Sequence, residues 1–181
     1  MYIYYKLCIF IRYEWRNITM SMTGTLVIRQ ATINDVDQML EIINHFAAKG
    51  LMLPRTKLSI CEHLQSYIIV HDGKGVMGMG GLHILWEDLA EIRSLAMAER
   101  AQGMGIGKKL VLALVEEARK LGIRRVLSLT YQVEFFHKCG FQIVQKEALP
   151  QKVWKDCINC SKLPMCDEIA MVRILEPTEY E

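Results

Sequence analysis

No stretch of the 181-residue chain stays apolar long enough to cross a bilayer, and the apolar run at the N-terminus is broken by Lys6 and Arg12. A secretory leader is not readable either, since it needs a basic region first and a small-residue cleavage site after. The expectation is a cytoplasmic protein without a membrane partner. Internal repeats and low-complexity tracts are absent. A charge excess is also missing: the net charge is +2, and the first 22 residues, with Lys6, Arg12 and Arg16 against Glu14, account for all of it. That leaves no basic surface for a nucleic acid. What remains, 51% hydrophobic and 23% charged, is ordinary for a globular protein large enough to bury one good core.

Residues 1–22 do not read like the rest and are taken as an N-terminal extension, with the natural start at Met20 or Met22; the alternative is a membrane-proximal or partner-binding tail. A single domain is expected over residues 23–181, with a cysteine-containing segment at 150–167. The most informative stretch is Arg100-Ala101-Gln102-Gly103-Met104-Gly105-Ile106-Gly107-Lys108-Lys109. Leu89 to Met97 before it reads as a half-buried strand. After it, Leu110, Leu114 and Ala118 recur every four residues beside Val111 and Val115, and Gly122 closes the run, as in an amphipathic helix with a glycine stop. Three glycines at alternate positions leave backbone N–H groups able to turn towards one anion, assisted by the positive end of the helix dipole. The expected ligand is a pyrophosphate; the bland alternative is a tight strand-to-helix turn.

Two familiar pyrophosphate loops fit poorly. A dinucleotide fold wants G-x-G-x-x-G and an acidic residue closing the next strand, but Arg124 to Leu129 runs into Thr130. A Walker loop wants a hydroxyl where Lys109 stands.

Elsewhere, Leu26 to Ala31 reads as a strand. Thr32 and Asp35 resemble a capping box, opening a helix with Ile33, Val36, Leu40, Ile43 and Ala47 on one stripe and Gly50 at its end. Pro54 makes residues 51–55 a loop. Ser59 and Glu62 are expected to cap a second helix carrying Ile60, Leu64 and Tyr67. A strand at Ile68 to His71, a hairpin turn at Asp72-Gly73-Lys74-Gly75 and a strand at Val76 to Leu85 follow. Beyond the glycine helix come a strand (Val126 to Leu129), a short helix (Val133 to Cys139), a strand from Phe141 to Gln145 and a last strand at Glu168 to Ile174. The order β-α-α-β-β-β-α-β-α-β-β makes an α/β (α+β) domain around a mixed, mostly antiparallel sheet.

The Gln102-Gly103-Met104-Gly105-Ile106-Gly107 spacing, its flanking strand and helix, and the closing Phe135-Phe136-His137-Lys138-Cys139-Gly140-Phe141 resemble the GNAT superfamily of N-acetyltransferases over residues 26–174. That resemblance implies helices on both faces of the sheet and a splayed pair of strands holding acetyl-CoA. Backbone groups of Leu95, Ala96 and Met97 would pair with the pantetheine arm and polarise the thioester carbonyl. The N–H groups of Gln102, Gly103, Met104, Gly105, Ile106, Gly107 and Lys108 would hold the pyrophosphate. Such domains often form homodimers. A narrower likeness, carried by Leu89-Ala90-Glu91-Ile92-Arg93-Ser94-Leu95-Ala96, Leu53-Pro54-Arg55, Leu129-Thr130-Tyr131 and Leu149-Pro150-Gln151-Lys152, is to the short single-domain N-acetylglutamate synthase-like enzymes of bacterial arginine biosynthesis. It implies a small-molecule amine acceptor, L-glutamate first. The alternatives are another small amine, a protein N-terminus, or a non-catalytic acyl-CoA-binding sensor.

Amine attack on a thioester needs a neutral amine, a stabilised oxyanion and a stable leaving thiolate, and an α-amine is largely protonated at neutral pH. On an alternating strand Leu89, Glu91, Arg93, Leu95 and Met97 share one face. Glu91 is then the candidate general base through a water, against the alternative of a charge-balancing Glu–Arg pair. Arg93 and Arg55 are candidates to clamp acceptor carboxylates with their planar guanidinium forks; the alternative for Arg55 is a solvated loop arginine. Many relatives carry a tyrosine proton donor where this chain has Phe136, so Tyr131 is the candidate replacement, or simply a residue lining the cleft. Cys157, Cys160 and Cys166 offer three ligands for a structural zinc but no second pair to complete a tetrahedral site, and the alternative is three ordinary thiols.

Overall fold

Along the strand Tyr67–His71, apolar side chains alternate between two covered faces: Tyr67 and Ile69 pack to one side, Ile68 and Val70 to the other. Burial on both faces makes this the core of a layered α/β domain rather than a sheet with one wet side. The structure is a computed structural model that describes residues 26–149 and 166–176. The proposed extension at 1–22, together with Lys152, Cys157 and Cys160, lies outside the described residues.

Among the described residues, eleven strands and α-helices run in the expected order: β1 (Val27–Gln30), α1 (Val36–Ala48), α2 (Lys57–Glu62), β2 (Tyr67–His71), β3 (Val76–Trp86), β4 (Leu89–Met97), α3 (Ile106–Lys120), β5 (Arg125–Thr130), α4 (Val133–Lys138), β6 (Gln142–Ile143) and β7 (Ile169–Ile174). They build one sheet in the order β1-β2-β3-β4-β5-β7-β6. Every neighbouring pair is antiparallel except β4 with β5. On one face α3 buries Leu110, Val111, Leu114, Val115 and Ala118 against Val70, Leu82, Ala90, Ile92 and Val126. On the other, Val36, Met39 and Ile43 of α1 and Ile60 of α2 cover Tyr67, Ile69 and Met79. A third cluster closes the far end of that side, where Leu149 meets Leu89, Leu127, Ala170 and Val172. Among the described residues no helix is long and apolar enough to cross a membrane.

Two local choices set these layers. Gly80 of β3 lies under α3, where an added Cβ would stand 2.7 Å from Leu114 Cδ1 and 3.0 Å from Leu95 Cδ1, so a bare backbone lets the helix settle on the sheet. The capping box is present: Thr32 donates to Asp35 Oδ2 from its backbone N–H at 2.8 Å and from its hydroxyl at 2.7 Å. Arg29 of β1 grips the same carboxylate in two-pronged fashion at 2.7 and 2.9 Å. The Arg29 bond, with further help from Thr32, holds the Asp35 carboxyl down at about 2. The buried charge thereby ties strand to helix.

The structure corrects two readings of local sequence. Thr56, not Ser59, caps α2, its hydroxyl accepting from the Ser59 N–H at 3.1 Å. The helix also ends early, at Glu62, and Tyr67 opens β2 instead. Sheet pairing and burial at 2% exposure outweigh the helical spacing of that tyrosine. β4, expected to be half-buried, is buried from Leu89 through Ile92, because it is a central strand covered on both sides.

Candidate active site in a fork between two strands

The parallel pair β4 and β5 holds together over only three residue pairs, Leu89 with Arg125, Ala90 with Val126 and Glu91 with Leu127. Beyond Glu91 the strands part, as expected from the resemblance. The opening between them is a cleft of about 970 Å³, lined by residues from β4 and β5, the end of α1, the loop after it and the glycine loop.

A bulge in β4 shapes the inner wall. Against β3, Met79 pairs with Ala96 but Gly81 pairs with Arg93, so β4 carries one extra residue between them. Ser94, in that stretch, has φ of +51°, the single non-glycine residue in the left-handed region among the described residues. Such a conformation costs on the order of 1–3 kcal/mol and clusters at functional sites, as do bulges. The extra residue also overturns the expected single face for Leu89, Glu91, Arg93, Leu95 and Met97. Leu95 and Met97 join Ala90 and Ile92 on the α3 side, whereas Leu89 belongs to the opposite cluster. A one-residue insertion inverts every later side chain, which periodicity alone cannot show.

Glu91 and Arg93 precede the bulge and both line the cleft. Arg93 Nε donates to Glu91 Oε2 at 2.6 Å, and the two side chains are only 14% and 8% exposed. Arg55 lines the cleft from the loop after α1 and is half-buried rather than fully solvated. Tyr131, just past β5, lines the outer side; its hydroxyl donates to Asp167 Oδ1 at 2.5 Å.

The glycine loop divides its labour. Gly103 and Gly105 take φ of +74° and +72°, which only glycine adopts cheaply. Gly107 instead lies inside α3, where an added Cβ would touch Met97 and Phe135 at ordinary van der Waals distance, about 3.5 Å each. Gly105 is the N-cap of the 15-residue α3 and has no side chain to cap it, so the first-turn N–H groups at Ile106, Gly107 and Lys108 present an anion seat. The Ile106 side chain is buried in the core, and Met104 is largely exposed. Two expected backbone groups are already engaged: the Gln102 N–H donates to Glu99 O at 3.2 Å, and the Met97 carbonyl accepts from Gln102 Nε2 at 3.2 Å. Glu99, one turn earlier, is held by His45 of α1 at 3.1 Å and by Lys49, just past the end of that helix, at 2.7 Å. Those bonds keep its carboxyl below the usual range.

Of the zinc candidates, Cys166 is described; its thiol lies 3.8 Å from Glu168 Oε2. Among the described residues no three His, Cys, Asp or Glu side chains gather as metal ligands. Residues the sequence did not single out also line the cleft, notably Ser94, Gln132 and Glu168. Asn44 of α1, bonded to the Arg55 backbone, was equally unmarked, although an asparagine beside the fully buried Ile43 in mid-helix is a weak signal.

Residues 36–141 match the Acetyltransferase (GNAT) family. An uncharacterized N-acetyltransferase of Chlorobaculum tepidum is 38% identical over 149 residues, covering 82% of this chain and 96% of that protein. An amino-acid acetyltransferase of Mycobacterium tuberculosis is 33% identical over 134 residues, 72% of this chain and 76% of the other. Among solved structures, N-acetylglutamate synthase of Neisseria gonorrhoeae, complexed with coenzyme A and N-acetyl-glutamate, superposes with a TM-score of 0.76 at 26% identity. That match covers 86% of this chain but 36% of the synthase.

Proposed function

The chain belongs to the GNAT family of acetyltransferases, and from that premise we propose that its acceptor is the α-amine of a small acidic amino acid, L-glutamate first. It is an acetyl-CoA-dependent N-acetyltransferase; the acceptor and the residue roles are our reading. The observation that carries this reading is the pairing of buried Glu91 with Arg93 at the neck of the fork, with Arg55 lining the same cleft. The relative named amino-acid acetyltransferase and the synthase solved with N-acetyl-glutamate support it.

The residues present fit coenzyme A. The α3 N-terminus lacks a side-chain cap, Gly103 and Gly105 supply the turn, and the cleft extends from the loop into the fork. The N–H groups from Gly103 to Lys108 would hold the diphosphate, and the strand edge at Leu95 and Ala96 would align the arm. Acetyl-CoA supplies the activated acyl group.

The chain's own groups then divide the work. Glu91 accepts the proton that the acceptor ammonium must lose, through a water. Arg93 holds Glu91 in place, its Nε committed to that carboxylate. Arg55 takes an acceptor carboxylate through its planar fork. Tyr131 gives a proton to the departing thiolate, exchanging Asp167 as its hydrogen-bond partner to do so.

The test is a CoA-release assay over glutamate, aspartate, neutral amino acids, a polyamine and peptide N-termini. Glutamate is expected to give the highest kcat/KM. Preference for a polyamine or peptide would overturn the acceptor assignment, and acetyl-CoA binding without turnover of any amine would mark a sensor.

A further inference from the structure

Two hydrogen bonds cross from the middle of α1 to the loop that follows it. Asn44 Nδ2 donates to the Arg55 carbonyl at 3.1 Å, and the Arg55 N–H donates to Asn44 Oδ1 at 3.1 Å. The side-chain amide thus gives one residue the paired donor and acceptor that a neighbouring strand would give it. Aspartate at this position could accept but not donate, and alanine could do neither.

The pinning is concentrated on this one residue. Pro54 before it has a ring-locked φ. Thr56 after it is fixed as the cap of α2. Asn44 itself stands next to Ile43, which is 0% exposed and anchors the helix in the core. Of the loop's own side chains Met52 packs against the α1 cluster, whereas Leu51 and Leu53, nearer the arginine, are 50% and 38% exposed. Its restraint therefore acts on the arginine that lines the cleft.

We propose that Asn44 is a positioning residue that sets acceptor specificity by locking the Arg55 backbone, and so the reach of its guanidinium into the cleft. This rests on the reading of Arg55 as the carboxylate clamp. Guanidinium recognition of a carboxylate is bidentate, and a displacement near 1 Å at a positioning group can cost up to about 100-fold.

The experiment is steady-state kinetics of full-length Asn44→Ala, Asn44→Asp and Arg55→Ala, and of the Asn44→Ala/Arg55→Ala pair, on the amine that the wild type turns over best. Circular dichroism confirms folding. Each Asn44 variant is expected to raise the acceptor KM about tenfold, with kcat and the acetyl-CoA KM within about twofold. In the Arg55→Ala background, Asn44→Ala should add less than about twofold, because residues acting as a unit are not additive. Fully multiplicative effects, or an equal rise in the acetyl-CoA KM, would overturn the proposal. If the preferred amine carries no carboxylate, the acceptor reading fails on the wild type alone, while the cycle still reports whether Asn44 and Arg55 act as one.

Discussion

Arg93 Nε lies 2.6 Å from Glu91 Oε2, two residues apart on one strand and immediately before the bulge that turns the rest of that strand over. The pair stands where β4 and β5 lose contact, and both members line the cleft while staying largely buried. A carboxylate in this setting is held in one orientation by its partner rather than left to rotate in solvent.

Glu91→Gln keeps the shape and removes the base. Turnover should fall by roughly 100-fold or more, the lower end of what a positioned base contributes. The loss should be greatest at low pH, where more of the amine is protonated, and acetyl-CoA affinity measured by calorimetry should hold within about twofold. An unchanged rate removes Glu91 from the mechanism.

Tyr131→Phe tests the proton donor. If the hydroxyl serves the leaving thiol, kcat should drop by about 10-fold to 100-fold. Asp167→Asn, which weakens the hydroxyl's present partner, should leave the rate within about threefold. Equal, small effects from both variants would reduce Tyr131 to a lining residue.

Gly105→Ala places a side chain on a residue at φ of +72° with nothing within 4 Å of the new Cβ, so the cost is purely conformational. A loss of about 1–2 kcal/mol in stability is expected, because left-handed backbone is unfavourable for alanine. The KM for acetyl-CoA should rise while that for the acceptor changes little. Chemical denaturation and kinetics check the two halves separately.

Asp35→Asn breaks the two-pronged bond from Arg29 and weakens the capping box with Thr32 at the turn that leads into α1. A loss of roughly 1–3 kcal/mol follows from the charged hydrogen bonds given up. Because the folded carboxyl is depressed to about 2, its contribution is fully present above the ordinary carboxylate range and is lost as pH falls through that range towards 2. Wild-type melting should therefore decline over that acid window, and the variant's should decline less. Parallel pH profiles would contradict the assignment.

Much of the architecture was legible beforehand because it is written in short-range pattern. The α3 stripe of Leu110, Val111, Leu114, Val115 and Ala118 is buried as its spacing predicts. The Asp72–Gly75 turn, the Thr32–Asp35 capping box and the order of all eleven elements also follow from neighbours within a few residues. At Tyr67, sheet pairing with Gly81 wins over a plausible helical period.

The chain by itself therefore determined the element order, the glycine loop and the family, since periodicity, turn chemistry and motif spacing are all local properties of sequence. Only the tertiary structure decided the bulge at Ser94, the side of the sheet taken by Leu95 and Met97, the hold of Asn44 on Arg55 and the bond from Tyr131 to Asp167. The reason is physical: a bulge exists only against a partner strand one residue shorter, and a hydrogen bond between residues 11 or 36 positions apart exists only once the chain between them has folded back.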